Sequence, residues 1–95
     1  MKSLRLPAVK QAFGFESDGA VYSHITDGLL PKPVKVGPRA SSWPVEEIQL
    51  MLTARAGGAS DEEIRLLVAG IHERRVRAWA TVRSQVLSAT AGGAR

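Results

Sequence analysis

The apolar positions of this chain fall into short runs separated by glycine and proline, and their spacing predicts four helices and one hairpin. Leu6, Val9 and Phe13 recur at helical spacing around Pro7, whose missing N–H costs nothing in a first turn, so a short helix is predicted over residues 7–13. Gly14 stops it. Ser17 is a good N-cap with Asp18 in the following first turn, and Val21, Tyr22 and Ile25 line one face of a second helix that Gly28 ends. Two prolines in Leu29-Leu30-Pro31-Lys32-Pro33 enforce extended backbone. Val34-Lys35-Val36 then alternates with period two, Gly37-Pro38-Arg39-Ala40 is a turn, and Ser41-Ser42-Trp43 returns as a partner strand. Tyr22 and Trp43 are expected in the core, each with its polar tip satisfied at the edge.

Pro44 opens a third helix with the stripe Val45, Ile48, Met51 and Leu52, broken by Ala56-Gly57-Gly58-Ala59. Ser60-Asp61-Glu62-Glu63 is a full capping box, with Ser at the cap and Glu three residues on. The fourth helix starts there and carries Ile64, Leu67, Val68, Ile71, Ala78, Trp79, Val82 and Val86. If continuous to Ser88 it is about 40 Å long, and Gly70 is tolerated within it at about 1 kcal/mol. A small domain needs about one further helix to close its core, and this one overshoots that need. Ile64–Ile71 are therefore expected to pack locally, and Trp79, Val82 and Val86 to contact another chain, with Trp79 as anchor. The organisation predicted is a DNA-binding domain over 1–56, a Gly-rich linker over 57–60, a packing and oligomerising helix over 61–88, and a flexible tail over 89–95.

Composition narrows the functional classes. The 95 residues contain no Cys, which excludes disulfides, thiolate metal sites and a Cys nucleophile. Two His and few clustered carboxylates give little catalytic material, so no enzymatic activity and no cofactor is expected. The acidic groups lack His partners at ligand spacing, so no metal site is expected. No apolar run approaches the length of a membrane span and the N-terminal residues lack a secretory apolar core, so a cytoplasmic, nucleoid-associated location is expected.

The net charge of +4 conceals strong segregation. Residues 1–45 carry +3, residues 46–63 carry −4, and residues 64–95 carry +5. Alternating basic and acidic segments favour head-to-tail association. The simpler reading, and the one favoured, is that Glu46/Glu47 and Asp61–Glu63 are first-turn residues of two helices, where negative charge suits the dipole. The basic balance is the electrostatic footprint of a nucleic-acid binder.

Helix, turn, helix, hairpin and helix in that order describe a mainly α fold with a small β-hairpin wing: a winged helix-turn-helix followed by a long C-terminal helix. The stretch from Tyr22 to Trp43 also resembles the AlpA family of prophage regulators, itself similar to excisionases and MerR DNA-binding domains. Its pattern, roughly Y-x-x-I-x-x-G-x-[FL]-P-x-P-x-K-[LV]-G-x-R-x-x-x-W, is met by Tyr22, Ile25, Gly28, Leu30, Pro31, Pro33, Lys35, Val36, Gly37, Arg39 and Trp43. The resemblance covers residues 4–56 and implies sequence-specific binding of double-stranded DNA, at an attachment site or a promoter, as a recombination directionality factor or transcription regulator working beside an integrase. The chain departs from the family in two places. Phe15 and Glu16 both separate Gly14 from Ser17, where the family has one residue fewer. Asp18, Gly19, Ala20 and Ser23 occupy helix positions where the family tends to carry Arg or Thr, which shifts weight to the wing and to shape readout.

The DNA-binding residues expected are Arg39, matching the family's wing arginine, Lys35 and Lys32 for phosphates, and Ser17, Ala20, Ser23 and His24 on the second helix. Ser17 doubles as a cap, and His24 has ring nitrogens able to donate to a base or phosphate. A homo-oligomer, head-to-tail on DNA, is the expected assembly. Two other functions fit the same elements: a phage small-terminase-like packaging subunit, in which a winged domain precedes an oligomerising helix, and a protein-interaction adaptor without DNA binding.

Overall fold

A computed structural model describes residues 2–93, with side chains described over residues 2–87. The elements are β1 (Ser3–Leu4), α1 (Leu6–Phe13), α2 (Asp18–Thr26), β2 (Val34–Gly37), β3 (Ala40–Pro44), α3 (Val45–Ala56) and α4 (Asp61–Gly93). The fold is mainly helical, with a small antiparallel sheet and a long C-terminal helix, as a winged helix-turn-helix requires. β3 is the central strand, flanked by β1 and β2. β1 pairs Ser3 with Pro44 and Leu4 with Trp43, and the Val45 N–H donates to the Lys2 carbonyl at 3.0 Å. The sequence pattern did not reveal β1, because two residues are too few to display a period.

Local chemistry sets the boundaries. Gly14 follows α1 with φ +73°, a left-handed conformation that favours glycine. The Ser17 hydroxyl accepts from the Ala20 N–H at 3.1 Å and caps α2. Between them the longer turn is put to use: Phe15 stacks on Phe13 at 5.4 Å and packs on the core. The capping box of α4 closes in both directions. The Ser60 hydroxyl accepts from the Glu63 N–H at 3.1 Å, and the Glu63 carboxylate accepts from the Ser60 N–H at 2.9 Å. The Ser60 N–H donating to it, with the Ser60 side chain beside it, holds the Glu63 carboxyl below its usual range. α4 remains helical to Gly93, beyond the Ser88 expected; the rest of the expected 89–95 tail lies outside the described residues.

The core has two parts. Val9, Val21, Leu30, Trp43 and Ile48 form the first, joining α1, α2, the extended segment, β3 and α3. Met51, Ile64, Val68 and Ile71 form the second, between α3 and α4, and Phe13 packs against both. Ile64–Ile71 thus pack locally, as the apolar spacing predicted. Trp43 is buried, and its indole N–H donates to the Pro31 carbonyl at 2.6 Å. Tyr22, expected in the core, is instead 54% exposed. Val21 takes the buried position of α2, and the adjoining residue lies about 100° further round the helix, which turns Tyr22 outward.

Glu47 and Arg75 join α3 to α4 through a bidentate ion pair, in which the Arg75 Nε–H donates at 2.8 Å and a second guanidinium N–H donates to the other carboxylate oxygen. Glu47 is therefore more than a dipole-matched first-turn residue. One buried group stays unmatched. The Ser42 hydroxyl is buried with no hydrogen-bond partner among the described residues. Such a group costs about 1–3 kcal/mol. Ser42→Ala is expected to raise the unfolding free energy by about 1 kcal/mol, read by urea denaturation, whereas a loss of stability would show that the hydroxyl is satisfied.

Candidate nucleic-acid interface

Two elements present the expected DNA-binding residues. On α2 the exposed positions Gly19, Tyr22, Ser23 and Thr26 follow i, i+3, i+4, i+7 and make one outward face. Ser17 lies exposed at its N-terminal end. Ala20 is half-buried on the flank of this face. Asp18, whose charge opposes phosphate, is paired with Lys10 at 2.9 Å, so α1 supplies the cation that α2 lacks.

His24 departs from this face. Its ring lies 4.5 Å from Phe15, and its Nδ1 is 2.8 Å from the Ala20 carbonyl, where it donates in the Nδ1–H tautomer. The residue sequence reasoning missed is Tyr22. Reading Val21, Tyr22 and Ile25 as one face placed it inside; the i, i+3 relation to Gly19 and i+4 to Thr26 is the signal that places it on the outward stripe.

The wing carries Lys35 and Arg39. Val34 pairs with Ser42, Lys35 with Ser41, and Gly37 with Ala40, with a bulge between Lys35 and Gly37 that leaves Val36 half-exposed. Arg39 sits in the two-residue tip, and Lys32 lies just before β2. Lys32, Lys35 and Arg39 are exposed, and none has an ion-pair partner among the described residues. Three unneutralised cations within eight residues give this end of the molecule a positive potential that α2 does not have.

α4 anchors both elements. The Arg65 Nε–H donates to the Asp27 carbonyl at the end of α2 at 2.9 Å. Two turns further along α4, His72 Nε2 accepts from the Lys32 N–H at 3.0 Å at the base of the wing. Gly28, at φ +75°, takes the left-handed conformation that favours glycine where the chain leaves α2; a Cβ there would make only an ordinary contact, 3.5 Å from the Arg65 Cγ. His72 must be neutral to accept. Burial pushes its pKa below the usual 6.5, and the positive charges of Arg75 and Lys32 push the same way. A depressed histidine contributes stability above its unfolded pKa and loses it as pH falls through the folded value. Lowering the pH from about 7 to about 5.5 is therefore expected to reduce the melting temperature of the wild type more than that of His72→Gln, whose carbonyl accepts without titrating. Equal losses in the two proteins would refute the assignment.

Trp79, Val82 and Val86, expected to contact another chain, are exposed on the distal part of α4. Among the described residues no group of three His, Asp or Glu side chains converges as a metal site would, and no helix is long and apolar enough to cross a membrane.

No curated protein and no solved structure matches the chain. The profile of the prophage CP4-57 regulatory protein (AlpA) family matches residues 2–55, which span β1 through α3, the outward face of α2 and the whole wing. With more than half its length inside that match, the chain belongs to the AlpA family of prophage regulatory proteins.

Proposed function

We propose that this protein is a sequence-specific, double-stranded-DNA-binding accessory factor of a prophage or integrative element, with no chemistry of its own. It acts as a recombination directionality factor, as a transcription regulator, or as both, binding an attachment site or a promoter in the cytoplasm and working with an integrase. Lys32, Lys35 and Arg39 position it on phosphates or in a narrow minor groove, and the α2 face with Ser17, Tyr22 and Ser23 meets the major groove. Copies associate through Trp79, Val82 and Val86. The observation that carries the DNA-binding reading is the unneutralised wing of a regulator-family fold.

Arg39→Ala tests it. The variant is expected to weaken binding to specific and random duplexes alike and to lower the salt slope by about one unit. Unchanged affinity in a gel-shift titration across salt refutes the wing assignment. Footprinting in cells that carry the element separates the two roles: protection at an attachment site supports excision control, and protection at a promoter alone supports transcription control.

A further inference from the structure

α4 is packed in its first half and bare in its second. One ridge runs along it through Val68, His72, Arg75, Trp79, Val82 and Val86, at alternating spacings of four and three residues. The first three are buried or half-buried against the body of the protein. Trp79, Val82 and Val86 continue the same ridge at 54%, 46% and 53% exposure. The groove between α3 and α4 reaches no further than Ala78, and every residue from Thr81 to Leu87 is exposed.

Charge selects what covers this ridge. From Arg74 to Leu87 the helix holds four arginines and no acid. Arg75 is paired with Glu47 and Arg77 lies 3.9 Å from Glu73, which leaves Arg74 and Arg83 without ion-pair partners among the described residues, so two such halves laid side by side bring like charges together. Opposite charge lies at the other end of α4. There the α1–α2 turn and the α3–α4 turn enclose an open cavity of about 490 Å³, whose walls include Phe13, Phe15, His24 and Leu52. Phe13 and Phe15 are stacked and His24 lies against Phe15, so the walls are aromatic and suit an indole. Arg55 and Asp61 both line this cavity and neutralise each other as an ion pair at 2.9 Å. The net negative charge at its rim therefore comes from Glu16 and Glu62, which adjoin lining residues in the sequence, are exposed and have no ion-pair partners among the described residues.

We propose that this aromatic cavity receives Trp79 of a second copy of the chain, with the arginines of the incoming helix against the acidic rim. The inference rests on the self-association proposed above and gives it a direction. The inserted surface and the receiving surface are different, and lie about 27 Å apart along α4. The contact is heterologous, so each copy offers one knob and one socket, and assembly continues into an open chain or closes into a ring.

The test uses the full chain without DNA, in analytical ultracentrifugation and by tryptophan emission. Trp43 is buried, so a concentration-dependent blue shift reports Trp79. The wild type is expected to gain mass with concentration and to lose it at high salt, where exposed charges are screened. Trp79→Ala and Phe15→Ala, each retaining its helicity, are expected to be monomeric alone and to form a one-to-one heterodimer when mixed, since each keeps the half the other lacks. If Phe15→Ala loses helicity, a Glu16→Lys/Glu62→Lys chain, altered only at exposed positions, replaces it as the socket-defective partner. A discrete wild-type dimer whose variants fail to complement overturns the head-to-tail contact and leaves association through distal α4 standing. A wild type that remains monomeric to about 1 mM overturns both, and DNA binding by the wing is unaffected by either result.

Discussion

Trp43→Ala is expected to lower the unfolding free energy by about 3–5 kcal/mol, a large share of the roughly 5–15 kcal/mol typical of a whole domain. The residue is almost fully buried, and it belongs to the cluster that joins α1, α2, β3 and α3. Its loss leaves a cavity at the crossing of these elements. It also removes the donor to the Pro31 carbonyl. Trp43→Phe narrows the comparison, since it keeps a six-membered ring in the core and loses the N–H together with the rest of the pyrrole ring; it is expected to cost about 1–3 kcal/mol. Urea denaturation followed by far-ultraviolet circular dichroism measures both without relying on tryptophan emission. Because Pro31 precedes the wing, Trp43→Phe is also expected to loosen the approach to β2. Hydrogen exchange at the Lys32 and Val34 amides reads this, and unchanged protection there would show that the wing is held without the indole.

The second large effect is on DNA. Replacing Lys32, Lys35 and Arg39 together by Ala is expected to reduce affinity about 100-fold near physiological salt, at roughly 1 kcal/mol per lost charge-assisted contact. The slope of log affinity against log salt is expected to fall by about 2.7, from about 0.9 per neutralised phosphate. Fold stability is expected to stay within about 0.5 kcal/mol, because all three side chains are exposed and unpaired among the described residues. Fluorescence anisotropy with a labelled duplex at several salt concentrations gives both quantities. A slope that does not change would place the phosphate contacts elsewhere, with Arg74, Arg77 and Arg83 on α4 as the remaining cluster of cations.

Features that depend on near neighbours were legible in the sequence. The Ser60–Glu63 box, the Ser17 cap, the helix stop at Gly14, the left-handed Gly28 and the hairpin between Pro33 and Pro44 are each written in a few to ten consecutive residues, and each is present. Features that depend on meeting a distant residue were not. β1 exists because Ser3 and Leu4 find the edge of β3 some forty residues later. Asp18 is neutralised by a lysine on another helix, and Glu47 by an arginine 28 positions away. At the candidate interface, the wing was readable from turn chemistry and strand alternation. The outward face of α2 was misjudged at Tyr22, because a nine-residue helix has too few positions to decide which of two adjacent apolar residues turns inward.

Arg65 and His72 lie two turns apart on a single helix, one gripping the end of α2 and the other the base of the wing. The helix therefore works as a calliper set before any ligand arrives. The gap between α2 and the wing, the two reading elements proposed above, is set by the pitch of α4, so docking on a duplex in that role is expected to order little further backbone. In the proposed DNA-binding role, a target is expected to be discriminated by whether its groove spacing matches that fixed gap, and a duplex that must be bent or compressed to fit is penalised by its own stiffness.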